Sequence, residues 1–268
     1  MEDHQPSSNI ASTIFHDLRK QILSGKLAAG ERLPGERELA THYGTNRNTL
    51  REAVRRLEQA RLVSVRHGQG LTVADFRRSG TMELLVPYID VATELRDVVQ
   101  LMEDILPARI MVLEFASRLA ARRATPTDVQ RLQDISDLLV AAFDRGDPVV
   151  VAHGFQRWLE ALIDAAHSLS IRWIANPFLD AYRQLMDRFP ALWILDPSFP
   201  SHLAQFMAAI DKGDEEEAVK STHDYYAKID DELLRALGVA IELGVHLDDA
   251  RSEAQAEVPQ GPSATRGL

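Results

Sequence analysis

The sequence of 268 residues contains no cysteine. Without cysteine there is no disulfide framework, no thiol nucleophile and no cysteine-based zinc or iron–sulfur site. No run of about 18 apolar residues is present, so we expect no membrane-spanning helix. The first residues, MEDHQPSSN, lack the basic start and the apolar run of a signal peptide. These absences together predict a soluble, cytoplasmic protein.

The chain also lacks an overall excess of basic residues, because its net charge is −10 and its sequence pI is about 5.4. Phosphates are bound by Lys and Arg, so this average argues against a nucleic-acid-binding protein. The charge is unevenly distributed, however. Residues 1–78 carry 13 basic against 9 acidic side chains, a net +4, whereas the remaining 190 residues carry 17 against 31, a net −14. This asymmetry predicts two domains, of which only the first meets a polyanion.

The first 75 residues have the pattern of three helices followed by a β-hairpin. The predicted elements are a helix from Ile10 to Leu23, a helix after Gly35, a helix from Asn46 to about Ala60, and a hairpin of residues 62–66 and 71–73. The first helix follows from apolar residues spaced four apart, and the third begins at a favourable N-cap residue, Asn46. The hairpin follows from two β-rich runs around a Gly-containing turn.

The start of the third helix carries side chains that suit DNA recognition. Arg47 and Arg51 are four residues apart on its outer face, with Asn48 and Thr49 beside them. Arg bonds guanine in pairs, Asn does the same for adenine, and Thr contacts phosphate or a thymine methyl group. Arginines on an exposed helix face are more often simply solvated. The combination of helix, turn, Arg-rich helix and hairpin in one basic segment nevertheless favours a winged helix-turn-helix.

The segment ILSGKLAAGERLPGERELATHYGTNRNTLREAVRRLEQARLVSVRHGQGLTV resembles the winged helix-turn-helix of the GntR family of bacterial transcription regulators. In that family the positions that match Arg37, Arg47, Thr49, Arg51, His67 and Gly68 contact the operator. Gly35, Asn46 and Asn48 depart from the residues that are usual there. The resemblance and the helix pattern together give a predicted DNA-binding set of Arg37, Asn46, Arg47, Asn48, Thr49, Arg51, His67 and Gly68.

Beyond the hairpin, apolar residues recur with the period of a helix, and no strand-like alternation of useful length is present. The predicted fold is therefore mainly α: a winged helix-turn-helix of three helices plus a hairpin, followed by an all-α bundle of six or seven helices. The predicted domains are 1–76 for DNA binding, 77–90 as a linker, 91–242 for effector binding and dimerisation, and 243–268 as a disordered tail.

The bundle carries no His-Glu-x-x-His, Gly-x-Ser-x-Gly or Walker A motif, so no catalytic residue is predicted and we do not expect an enzyme. It resembles the FadR subfamily, whose FCD ligand domain often binds a divalent metal through one Asp and three His. The matching positions in this chain are Phe155 and Leu159 (or Ala152 and Gln156 in a shifted alignment), then His202 and Tyr225. One ligand of four does not make a metal site, so neither a metal nor any other cofactor is predicted.

Replacement of metal ligands by apolar and aromatic groups resembles the fatty-acid-responsive members of the subfamily, which implies a long-chain acyl-CoA as effector. An apolar cavity would hold the acyl chain, with Arg109 for a carbonyl or phosphate. The predicted effector residues are Arg109, Phe155, Trp158, Leu159, Trp173, Tyr182, His202 and Tyr225. A core role for the aromatic residues is equally compatible with the sequence. A carboxylate metabolite, with or without a divalent metal, is the alternative effector.

The combined prediction is a homodimeric transcription regulator that binds double-stranded DNA at a palindromic operator, without a membrane partner. Effector binding is expected to shift the population between two spacings of the DNA-binding heads, and thereby to change operator affinity. A hypothesis of another class is a helical enzyme or scaffold with an incidental winged helix.

Overall fold

A computed structural model describes residues 5–66, 70–188 and 196–243 of the chain. The chain divides into two compact units, Met1–Ala92 and Thr93–Leu268. The first unit contains α1 (Gln5–Leu23), α2 (Glu36–His42), α3 (Arg47–Gln59), β1 (Val63–Arg66), β2 (Gly70–Val73), α4 (Phe76–Ser79) and α5 (Leu85–Val91). The second contains α6 (Leu95–Arg123), α7 (Pro126–Asp144), α8 (Pro148–Ala165), α9 (Leu169–Arg188), α10 (Phe199–Lys212) and α11 (Glu215–Glu242).

The N-terminal unit has the three helices and the hairpin that the sequence predicts. β1 and β2 are antiparallel, with Val63 opposite Val73, and an isolated bridge joins Arg32 to Thr72 beside them. The apolar stripes of the helices and the inward side of the hairpin form one core, whose members include Ile14, Leu18, Ile22, Leu50, Leu57, Leu62 and Leu71. The winged helix-turn-helix is therefore confirmed, and α1 starts five residues before the predicted Ile10.

The segment predicted as a linker contains helical structure. α4 and α5 are joined through a 3₁₀ turn at Met82–Leu84, and α5 packs on α1. Leu84 belongs to the buried core of the N-terminal unit. The Asp75 carboxylate accepts a hydrogen bond from the Arg77 amide and caps α4. The polar residues after the hairpin thus initiate a short helix, while the predicted domain limits stay predictions.

The C-terminal unit is helical throughout its described residues, where six helices are present, within the predicted six or seven. α6 and α11 are long helices that pack along one another, and α7 packs on α8. Side-chain caps mark the starts of two helices in this unit. Thr125 forms a capping box with Asp128 at the start of α7, and Asp147 caps α8.

Aromatic side chains fill the centre of this bundle. Trp158 is 1% exposed, and its indole Nε1 donates a hydrogen bond of 3.0 Å to Ser136 Oγ. Phe155 stacks on Trp158 with ring centres 5.7 Å apart, and Phe199 and Phe206 complete the cluster. α11 ends at Glu242 with Leu243 as its C-cap, so the predicted tail lies almost wholly outside the described residues.

None of the helices in the described ranges is both long enough and apolar enough to cross a membrane.

Candidate functional site

The first candidate site is the N-terminal turn of α3. The Asn46 side-chain oxygen accepts hydrogen bonds from the Thr49 amide at 3.0 Å and from the Thr49 hydroxyl at 3.2 Å. Thr49 is 5% exposed, so its hydroxyl serves the helix cap in the free protein. Arg47 and Asn48 are exposed beside it, and an open hollow lies between these residues and Glu52. Both exposed side chains are therefore accessible to a base edge or a phosphate.

Arg51, one turn further along α3, is exposed but paired. Its Nε donates a hydrogen bond of 2.7 Å to Glu36 Oε2 at the start of α2. Both side chains are substantially accessible to solvent, and such surface pairs contribute about 0–1 kcal/mol. Arg37 is exposed on the neighbouring position of α2. The pair thus holds Arg51 only weakly.

Two of the predicted DNA contacts, His67 and Gly68, lie outside the described residues, although the flanking strands β1 and β2 are described. Of the other six, the structure brings Asn46, Arg47, Asn48, Thr49 and Arg51 together on one end of α3. Guanidinium and amide groups at the first turn of a helix are suited to reading base edges in a major groove. The geometry can therefore support sequence-specific DNA recognition.

The second candidate site is a small cavity in the C-terminal unit. Its volume is about 40 Å³, and its lining residues are Arg109, Val112, Leu113, Phe155, Leu159, Ile163, Ala175, Phe178, Leu179, Tyr182 and Tyr226. A buried water needs about 10–15 Å³ in this measure, so the cavity has room for roughly three water-sized groups. The lining is apolar apart from Arg109 and the two tyrosines.

Arg109 is the charged group of this cavity, and it is paired with Asp230. Its guanidinium donates a hydrogen bond to the Asp230 carboxylate, which links α6 to α11, and it lies 4.8 Å from the centre of the Tyr226 ring. Within the described part of the chain, three buried polar atoms of this group have no hydrogen-bond partner: Arg109 Nε, Tyr226 Oη and Asp230 Oδ2. Unpartnered buried polar atoms are rare in proteins, so this cluster calls for a ligand or water.

Burial controls the protonation of the groups around Arg109. Burial raises the pKa of Tyr226 and the pKa of Tyr182, so both phenols stay neutral at physiological pH. Burial also raises the pKa of Asp230, an effect that the Arg109 charge opposes. The carboxylate is therefore easier to protonate than an exposed aspartate.

The structure brings four of the predicted effector residues to this cavity, namely Arg109, Phe155, Leu159 and Tyr182, with Trp158 packed directly behind Phe155. It does not bring Trp173 there, because that side chain is 66% exposed. Ile171 and Ala175 lie on the buried side of α9. Trp173 is two positions from each of them, which places it about 200° around the helix from that side. Trp173 therefore faces away from the core.

The predicted set omitted Tyr226 and Asp230. The two residues are four apart on α11 and so share a face of that helix. The sequence contains one signal for these two residues. Asp230 falls on the apolar face of an amphipathic helix, one turn after Tyr226, and an aspartate buried on such a face needs a partner.

His202 and Tyr225 lie together, but not as part of a metal site. Their rings stack with centres 4.0 Å apart, and His202 Nδ1 is hydrogen-bonded to Ser221 Oγ at 3.1 Å. Burial lowers the pKa of His202 to about 4, so the imidazole is neutral. Throughout residues 5–66, 70–188 and 196–243, no group of three or more His, Asp or Glu side chains could hold a metal ion. The aromatic and hydroxyl neighbours of His202 do not fit a divalent metal, so we derive no metal chemistry here.

Comparisons with known proteins agree with this two-part arrangement. Residues 10–73 match the family of bacterial regulatory proteins named gntR, and residues 104–228 match the FCD domain. The regulator Mce2R of Mycobacterium tuberculosis is 32% identical over 81% of this chain and 88% of its own length. The galactonate operon transcriptional repressor of Escherichia coli is 26% identical over 76% of this chain and 86% of its own.

A solved structure of Lar, which controls expression of the agr system of Listeria monocytogenes, has the same fold with a TM-score of 0.55. It is 19% identical and covers 84% of this chain and 96% of that chain. The family models and the relative that is 32% identical determine the assignment: the chain belongs to the GntR family of bacterial regulatory proteins, as a DNA-binding transcription regulator with an FCD ligand-binding domain.

Proposed function

We propose that α3 reads the major groove of an operator and that a small molecule held in the Arg109 cavity changes operator affinity. The single observation that carries the DNA-binding part is the first turn of α3, where a capped helix start presents Arg47 and Asn48 to solvent. The N-terminal residues of a recognition helix are those that contact base edges. The net +4 of residues 1–78 supports the same assignment.

The DNA-binding part is tested by the substitution Arg47→Ala. An operator is first selected by the full chain from a pool of random DNA, and its affinity is measured by fluorescence anisotropy. We expect Arg47→Ala to weaken operator binding by about 1–3 kcal/mol and to relax the base preference at one position of each half-site. The matched control is Arg131→Ala on α7, an exposed arginine of the C-terminal unit. Equal affinity of both variants and the parent would contradict the assignment.

The effector that we propose is a small carboxylate rather than a long-chain acyl-CoA. A cavity of about 40 Å³ has no space for a long acyl chain unless the packed aromatic residues move apart. The family assignment itself does not specify a fatty acyl-CoA. One relative is named for the operon of galactonate, which supports a carboxylate as the class of effector, although galactonate itself is larger than this cavity.

Operator affinity measured with saturating palmitoyl-CoA, and separately with small carboxylates, distinguishes the two effectors. We expect palmitoyl-CoA to leave operator affinity unchanged and at least one small carboxylate to shift it. The shift cannot exceed the difference between the carboxylate's affinities for the DNA-bound and the free form of the protein. A change in operator affinity with palmitoyl-CoA and with none of the small carboxylates would support a long-chain acyl-CoA as the effector instead.

We also propose that the protein acts as a homodimer on a palindromic operator. A two-fold dimer presents two copies of α3, so the DNA must repeat its half-site with the same symmetry. Light scattering gives the mass of the free protein, and the sequences selected from random DNA show whether the half-sites are inverted repeats. A monomer that selects a single half-site would exclude this arrangement.

A further inference from the structure

The start of α3 contains two asparagines, and the structure leaves the side-chain amide of only one of them free. The Asn46 oxygen Oδ1 accepts hydrogen bonds from the Thr49 amide at 3.0 Å and from the Thr49 hydroxyl at 3.2 Å. Asn48 is exposed, and its side chain makes no hydrogen bond within residues 5–66, 70–188 and 196–243. The two asparagines therefore differ in what they can offer to DNA.

Recognition of adenine needs both ends of an asparagine amide. In the major groove adenine presents an acceptor, N7, and a donor, the N6 amino group, so the asparagine donates from Nδ2 and accepts at Oδ1. Both acceptor positions of the Asn46 oxygen are already used by Thr49, and giving them up would uncap the helix. Asn46 therefore has only donors left, which suit a phosphate, whereas Asn48 retains the complete amide.

The surroundings of Asn48 are better suited to a base edge than to a phosphate. Asn48 lines the open hollow at the start of α3 together with Arg47 and with Glu52, which lies one helical turn further along the same face. The Glu52 carboxylate forms an ion pair with Arg56 on the following turn. A carboxylate in the hollow repels the negative charge of a phosphate, but it does not repel the neutral edge of a base.

We propose that Asn48 reads an adenine and thereby specifies an A·T base pair in each half-site of the operator. The inference rests on the proposed DNA-binding function of α3 and deepens it. Consecutive Cα atoms are about 3.8 Å apart and consecutive base pairs about 3.4 Å apart, so this A·T pair lies next to the base pair that Arg47 contacts. Asn46 is a positioning residue, because its cap fixes the helix start from which Arg47 and Asn48 project.

The test uses the operator selected by the full chain, with each base pair of one half-site changed in turn to the other three. Affinity for every duplex is measured by fluorescence anisotropy with the parent and with Asn48→Ala. We expect the parent to prefer A·T at one position by roughly 5- to 150-fold, and Asn48→Ala to lose this preference while it keeps those at the other positions. An equal loss of affinity on all duplexes would indicate a phosphate contact and would overturn the proposal, as would unchanged preferences.

Two modified bases at that position identify the atoms of the contact. 7-Deazaadenine lacks N7, and 2-aminopurine carries its amino group in the minor groove, but both still pair with thymine. Each removes one of the two proposed hydrogen bonds, so each should weaken binding of the parent severalfold. Neither should weaken binding of Asn48→Ala any further, because that variant makes neither bond. Equal losses in the parent and in Asn48→Ala would assign the adenine to another residue and contradict the proposal.

Asn46→Ser is the matched control, because serine keeps a capping oxygen but has no amide. It should retain the parent's preference for A·T at the position that Asn48 reads. If Asn46→Ser loses that preference and Asn48→Ala keeps it, Asn46 is the reading residue and the proposal is wrong. A parent that selects no common sequence from random DNA contradicts the proposed function itself, whereas a selected operator without an A·T pair that depends on Asn48 contradicts only this inference.

Discussion

At the scale of single residues, the buried polar groups of the C-terminal unit fall into two kinds. Ser117 is hydrogen-bonded to Thr222 at 2.9 Å, and Trp158 donates to Ser136, so these groups stabilise the packing and need nothing more. Arg109 and Tyr226 retain unpartnered atoms beside a cavity. The contrast separates polar residues that support the core from polar residues that are available to a ligand.

His202 gives a prediction about pH and stability at this scale. Its pKa is about 4 in the folded protein because it is buried, against about 6.5 for an unfolded chain. Between these values the unfolded state binds a proton that the folded state does not, so stability falls as the pH falls from 6.5 towards 4. We expect the C-terminal unit to lose about 2 kcal/mol through this residue between pH 7 and pH 5.

Urea unfolding followed by tryptophan fluorescence checks this, because all three tryptophans lie in the C-terminal unit, at positions 158, 173 and 193. His202→Asn should lose less stability than the parent over the same pH range. His153→Asn, at an exposed position, serves as the control and should behave as the parent does. Identical losses in the parent and in His202→Asn would show that another group titrates.

At the scale of helices and strands, the features that depend on residues close together in the sequence could be predicted from it. Asn46 was predicted to begin α3, and it caps that helix because the Thr49 amide lies three residues further along the chain. The orientation of Trp173 could not be predicted, since it depends on which side of α9 meets α6 and α8. The Arg109–Asp230 pair joins residues 121 positions apart, and no local pattern reports such a contact.

Asn46 provides the prediction for this scale. Asn46→Ala removes the acceptor for the Thr49 amide and should destabilise the start of α3 by about 1 kcal/mol. Hydrogen exchange of the α3 amides should then be about fivefold faster. Asn46→Ser retains a capping oxygen and should preserve the exchange rates of the parent. Fast exchange in the serine variant as well would mean that Asn46 stabilises α3 by some means other than the cap.

At the scale of the whole molecule, the charge separation that the sequence shows coincides with two structural units. The basic segment 1–78 falls inside the first unit, and the acidic helices belong mostly to the second. Two domains could be expected from the residue counts because charge asymmetry can be counted before the fold is known, while the predicted domain limits stay predictions. The residue counts do not place a boundary, because α5, which follows the basic segment, is apolar and packs on α1.

Salt dependence is the prediction that belongs to this scale. Operator affinity should fall steeply between 50 and 200 mM NaCl, because each phosphate neutralised releases counterions. Arg37→Ala should make the slope of log K against log salt shallower by about 1 for each α2 that contacts the DNA. Arg131→Ala, in the acidic unit, should leave the slope unchanged. A slope near zero in the parent would mean that the basic unit does not neutralise phosphates.

The Arg51–Glu36 pair bears on how the protein binds RNA and DNA other than its operator. An arginine that already has a carboxylate partner gains less from an arbitrary phosphate, because one anion replaces another, and for an exposed pair the difference is at most about 1 kcal/mol. A site that adds a base contact at the same time is favoured over a lone phosphate by the free energy of that base contact. In the proposed recognition mode, opening this pair costs the same at the operator as elsewhere, so it lowers both affinities by at most about fivefold and leaves the preference for the operator to the base contacts.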